Sequence, residues 1–152
     1  MMNLWRSLRA ENSLPHSFLL VSIAVAILGF ADTSYLTIEH YRNTAPPCFI
    51  LSGCDTVTQS IYSEISGVPV ALLGAIYYGI IAILLFTALE TKKNLYARLG
   101  FLLTPLGVLA SGWFLYIQIF LLRAYCLYCL GSIATSSILF MLAIVANRLE
   151  KK

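Results

Sequence analysis

The sequence predicts an all-α integral membrane protein, a four-transmembrane-helix bundle with an outward loop and a short surface half-helix between its first two spans. Three observations carry that reading. Of 152 residues 59% are hydrophobic and the mean hydropathy is +0.82, more apolar surface than a soluble domain of this size hides in one core. The apolar residues fall into four runs, each long enough for the ~20 residues that one crossing takes. The lysines and arginines gather at alternate ends of those runs.

Taken in order, the spans are expected at Ser17 to Ile38, Val68 to Leu89, Ala97 to Leu122 and Tyr125 to Ala146. All should be helices, because lipid leaves backbone groups no partner outside their own segment. A secretory signal over residues 1–31, with a small-residue site at Gly29-Phe30-Ala31, is the rival reading of the first run. The apolar pattern resumes after Asp32 through Tyr35, Leu36 and Ile38, which favours a retained helix. In the second run Gly74 and Gly79 permit close helix approach, and in the third Pro105 is expected to introduce a kink. Residues 39–67 form the long polar connection and hold Pro46 and Pro47. Within them Asp55 to Ile65 reads as a half-helix, because Ile61 and Ile65 fall four apart with Val57 and Val68 near the same stripe. Residues 1–152 are thus expected to form a single four-helix domain with no room for a soluble one, so that any soluble partner would be a separate chain.

Basic residues are retained on the cytoplasmic side of short loops. Arg6, Arg9, Lys92, Lys93, Arg98, Arg148, Lys151 and Lys152 fall on one side and Arg42 and Arg123 on the other. Both termini are then cytoplasmic, and the connection at 39–67 faces outward with the start of the fourth span. The net charge of +3 reflects this topology and implies no nucleic-acid partner.

The outward face carries all four cysteines: Cys48 and Cys54 in the loop, Cys126 and Cys129 opening the fourth span. The periplasmic or extracellular side is oxidising, so disulfide chemistry can operate there. Cys126 and Cys129 lie three apart near a helix N-terminus, where they share a face and the helix dipole favours a thiolate. A thiolate attacks disulfides or an electrophilic ring, and a second thiol three residues on can close an internal disulfide and expel the adduct. Inert structural disulfides are the bland alternative, although such bridges mainly serve small secreted domains that lack a core. A zinc site would want paired Cys-x2-Cys knuckles, so no metal is expected.

Other residues are less pointed. Asp32 is an intramembrane carboxylate, a candidate proton relay or an interfacial residue bonded to Ser34 or Tyr35. His16 and His40 read as interfacial or solvated side chains, and Tyr77, Tyr78, Trp113 and Tyr116 as packing or belt residues sooner than as pocket walls.

In this order Cys48, Cys54-Asp55-Thr56-Val57 with Ser60, the run from Gly67-Val68-Pro69-Val70 to Tyr78, and Cys126-Leu127-Tyr128-Cys129 resemble the vitamin K epoxide reductase family across nearly the whole chain. DsbB-type oxidases also have four spans and two cysteine pairs, but carry the Cys-x2-Cys in the first outward loop. The resemblance implies a quinone-dependent thiol–disulfide oxidoreductase that promotes disulfide formation. Electrons would pass from a separate, secreted thioredoxin-like (DsbA-like) protein to Cys48, from Cys54 to Cys126, and from Cys129 to a membrane quinone of ubiquinone, menaquinone or vitamin K type. Ser60 would help order the cap over the quinone and hydrogen-bond near it, a cofactor-binding role beside that of Cys129. For such a relay Cys54 and Cys126 must approach disulfide distance, with Cα atoms within about 7 Å. Reduction of vitamin K or its epoxide as the main role is the runner-up. From another class comes a small four-span transporter in which Asp32 couples protons and the cysteines are staples, though no internal repeat supports alternating access.

Overall fold

The computed structural model describes residues 14–48 and 53–150. Arg6, Arg9, Lys151 and Lys152 of the charge count lie outside them, as do residues 49–52 of the connection at 39–67. The chain forms α1 (His16–Tyr41), the short α2 (Cys54–Thr58), a 3-10 turn (Ile61–Ser63), β1 (Glu64–Ile65), β2 (Val68–Pro69) and α3 (Val70–Thr91). It continues through α4 (Asn94–Leu102), α5 (Thr104–Tyr116), a π-helical turn (Ile117–Leu122) and α6 (Leu127–Leu149). Four helical stretches are long and apolar enough to cross a membrane: α1, α3, Asn94–Leu122 and α6. The protein is a multi-pass membrane protein. At about 1.5 Å per residue, even the shortest matches the ~30 Å hydrocarbon layer.

The four spans close into a ring. α1 packs against α3 and α6, while the third span leans on α3 through α4 and on α6 through α5. Lipid supplies no hydrophobic force between helices, so close approach and interhelical hydrogen bonds must hold them. Both are present. A Cβ on Gly29 of α1 would lie 2.5 Å from the Tyr78 ring of α3, so only glycine admits that ring. Past it, the Tyr78 hydroxyl donates to the Ser132 carbonyl at 2.8 Å and lies 2.9 Å from Thr135 Oγ1 on α6. One fully buried tyrosine thereby ties three helices. Leu28, Ile83, Leu109 and Met141 stay exposed on the outer surface, as a lipid-facing side requires.

The third span breaks where its proline predicts. Pro105 has no N–H for the Phe101 carbonyl, and Thr104 Oγ1 donates to it instead at 2.7 Å. At its other end the span widens into the π-helical turn, which Arg123 ends in the left-handed region at φ 49°.

The span ends differ from the sequence reading by up to three residues, and two differences change the local structure. The helix expected over Asp55 to Ile65 ends at Thr58, because Ser60 turns extended (φ −72°, ψ 158°). Beyond the 3-10 turn, β1 and β2 form a hairpin with Ile65 opposite Val68. Ser66 and Gly67 both have positive φ (54° and 79°), the signature of a two-residue type I′ turn. That hairpin also delays the second span, which starts at Val70.

Candidate functional site

The cysteines come from three stretches of chain and meet at one end of the bundle. Cys48 and Cys54 are joined by a disulfide, with Cα atoms 6.0 Å apart, while Cys126 and Cys129 are free thiols. Cys54 (1% exposed), Val57, Ala124 and Cys126 (0% exposed) form one buried cluster. Cys48 and Cys129 pack against it from opposite sides of the sequence. Residues 72 apart in the chain thus share one apolar pocket.

Gly53 makes that meeting possible. Its φ of 156° with ψ of 4° suits glycine alone, and an added Cβ would stand 3.1 Å from both Ala124 Cβ and the Tyr125 backbone nitrogen. With no side chain there, the first turn of α2 rests directly on the segment leading into α6. A second clasp comes from Tyr128, between the two cysteines of the motif. Its hydroxyl donates to the Pro47 carbonyl at 3.3 Å, next to Cys48, and its ring lies 5.3 Å from that of Tyr35 on α1.

Cys126 is the N-cap residue of α6 and accepts a hydrogen bond from the Cys129 N–H at 3.4 Å. Its own N–H donates to Gln118 Oε1 at 3.0 Å. A hydrogen bond from the Cys129 thiol holds the Cys126 thiol below the ordinary cysteine value, and the N–H groups of Cys129 and Tyr128 add to this. Burial and the Asp32 charge oppose it. An N-capping sulfur at the positive end of a helix is a favoured thiolate.

The two pairs face different surroundings. Cys48 and Cys54 border an open surface cleft with Pro46, Gly53, Asp55 and Thr56. Cys126 lies inside, above the bundle. Ser60 stands apart from the sulfurs: its hydroxyl donates to the Val57 carbonyl at 2.8 Å and so closes α2, whose Val57 side chain is in the cysteine cluster. A separate cleft of about 700 Å³ opens beside Ser60, bordered by Glu39, His40 and Glu64, with His40 Nε2 2.9 Å from Glu64 Oε1 across it. Asp32 lies on α1 beside the first turn of α6, its Oδ1 3.9 Å from where a Gly131 Cβ would be, and its buried Oδ2 has no partner. Trp113 and Tyr116 are largely exposed on the outer surface and stack at 6.1 Å, so they wall no interior pocket.

Gly53, Gln118 and Tyr128 were not singled out by the sequence reading. Gln118 had a signal available, being a lone amide within an apolar run. Gly53 and Tyr128 sit beside or between motif cysteines, yet their partners lie across the fold.

Residues 20–144 match the profile of the Vitamin K epoxide reductase family. Over 130 residues the chain is 32% identical to the thiol-disulfide oxidoreductase LTO1 of Arabidopsis thaliana, covering 79% of this chain and 34% of that protein. It therefore spans about a third of the length of that relative.

Proposed function

Since the chain belongs to the vitamin K epoxide reductase family, we propose that it is a quinone-dependent thiol–disulfide oxidoreductase, oxidising a secreted thioredoxin-like dithiol protein at the outward face. The observation that carries this is the shared burial of Cys54 and Cys126, with Cys48 left at an open cleft. The open cleft at Cys48 suits a protein dithiol.

The relay runs in balanced exchanges. A partner thiolate attacks Cys48 Sγ and breaks the Cys48–Cys54 bond; the partner's second thiol then resolves the mixed disulfide and leaves as an oxidised partner. The freed Cys54 thiolate attacks Cys126 of a Cys126–Cys129 disulfide and releases Cys129. Cys48 attacks Cys54 in turn, restoring the loop disulfide and expelling Cys126. A thiol held at low pKa leaves faster, and Cys126 is so held. The Cys126–Cys129 dithiol is finally reoxidised, giving up two electrons and two protons. A bound quinone supplies the acceptor for both. The residues fit such a ligand, because two buried polar atoms beside this pair, Gln118 Nε2 and Asp32 Oδ2, lack partners. Asp32 is then a candidate to handle a proton; unchanged quinone turnover in Asp32→Asn would remove it from that role. The bundle end with Lys92, Lys93 and Arg148 lies opposite the cysteines, which supports a cytoplasmic assignment for that end.

The test is quinone reduction by the purified protein in detergent, with a reduced thioredoxin-like protein as donor. Loss of turnover in both Cys48→Ala and Cys129→Ala, with a small dithiol rescuing Cys48→Ala alone, is expected. Absence of wild-type turnover across benzoquinones and naphthoquinones would overturn the proposal.

A further inference from the structure

Building on the quinone-reducing reading, we propose that Gln118 holds a quinone carbonyl oxygen beside the Cys126–Cys129 pair, with one end of its amide anchored on the protein and the other donating to the ligand.

The orientation of the amide follows from its anchor. A backbone N–H can only donate, so the Gln118 atom 3.0 Å from Cys126 N must be the carbonyl oxygen Oε1. The NH2 end is then what remains. Gln118 is wholly buried (0% exposed) and Nε2 has no hydrogen-bond partner. Buried donors are almost always satisfied, and an exception calls for a ligand or bound water. Among the described residues two other buried side-chain atoms are in this condition. Asn94 Oδ1 belongs to the start of α4, at the opposite end of the bundle. Asp32 Oδ2 adjoins the first turn of α6, beside the same thiols as Gln118.

Local backbone geometry supports the assignment. Gln118 lies in the π-helical turn Ile117–Leu122, and the Ala124 N–H closes that turn on the Gln118 carbonyl at 3.2 Å. Turns of this width are rare and recur at functional sites. The same turn exposes Phe120 and Leu121 on the outer surface, an apolar approach for a ring arriving from lipid. A neutral donor is what a quinone oxygen accepts. The amide does not titrate, so it positions the ligand and carries no proton. A protein dithiol has no need of it, because Cys48 borders an open cleft that Gln118 does not line.

Equilibrium dialysis of a short-chain ubiquinone and of menadione against the purified protein tests this without turnover. Gln118→Met keeps the length and removes the donor, and should weaken binding about tenfold, the scale of one buried hydrogen bond. Gln118→Glu has a donor only while its carboxyl is protonated, so its quinone binding should be lost as pH rises through that titration, unlike the wild type. Binding in Gln118→Met equal to wild type would overturn the inference, as would pH-independent binding in Gln118→Glu at wild-type strength. Failure of the wild type to bind either quinone would instead strike the proposed function.

Discussion

In the bundle, Tyr78, Ile81, Leu85 and Leu139 are each no more than 2% exposed, packed on Ala26, Ala88 and Ala97. Between residues 44 and 69, by contrast, the buried described residues are only Pro46, Gly53, Cys54, Val57 and Pro69. The bundle is held by interdigitated side chains and the Tyr78 tie. The cap is held by the small cluster of Cys54 and Val57 with Ala124 and Cys126, one disulfide, the Tyr128–Pro47 bond and the His40–Glu64 pair. In the proposed relay the two regions would have separate duties: the bundle would fix the Cys126 end, while the cap would carry a pair whose hold changes each time its own disulfide opens.

Variants can break or sharpen that contrast. The largest effect is chemical: Cys129→Ala should abolish quinone reduction while leaving the Cys48–Cys54 disulfide intact, as read by mass spectrometry of alkylated peptides. Next, Tyr78→Ala removes a buried aromatic from the three-helix contact and should lower stability by about 3–5 kcal/mol in thermal unfolding in detergent. Tyr78→Phe, losing only the hydroxyl contacts to α6, should cost about 1 kcal/mol. Neither should change the rate at which a dithiol reduces the loop disulfide. Gly53→Ala should do the reverse, placing a Cβ 3.1 Å from Ala124 and Tyr125 at a positive φ. The strain is worth about 1–3 kcal/mol, and it should slow exchange between Cys54 and Cys126 while the bundle stays folded.

A pH profile separates the two thiols of the α6 motif. With the Cys126 pKa lowered by the Cys129 hydrogen bond, its thiolate persists to lower pH than that of an ordinary cysteine. Alkylation of Cys126 in the reduced protein should stay fast at pH values where a free cysteine has slowed. Cys129→Ala removes the bond and should shift the profile upward. The smallest effect belongs to the cap surface: His40→Ala, at a partly exposed side-chain contact with Glu64, should cost no more than about 1 kcal/mol.

Much of this layout is legible in the sequence because bilayer physics leaves few options. Four apolar runs become four helices, Pro105 breaks the third, and Cys126 opens α6 where the helix dipole acts on it. The cap is less legible. Ile61, Ile65 and Val68 look like one face of a helix by spacing, yet they are 84%, 57% and 38% exposed. Ser66-Gly67 was the stronger local signal, since a turn that demands two positive φ values overrides a weak stripe. The π-helical turn has no sequence mark, and the role proposed for Gln118 depends on it. The Gly53 contact is a meeting of backbones far apart in sequence, which no pattern along the chain encodes.

The most direct test of the cap-to-bundle relay is to trap its middle step. In the double variant Cys48→Ala, Cys129→Ala, mild oxidation of the purified protein should join Cys54 to Cys126 in most molecules, detected as a single cross-linked peptide pair. If both thiols remain reactive to alkylation and no such peptide forms, the two pairs do not exchange and the relay is wrong.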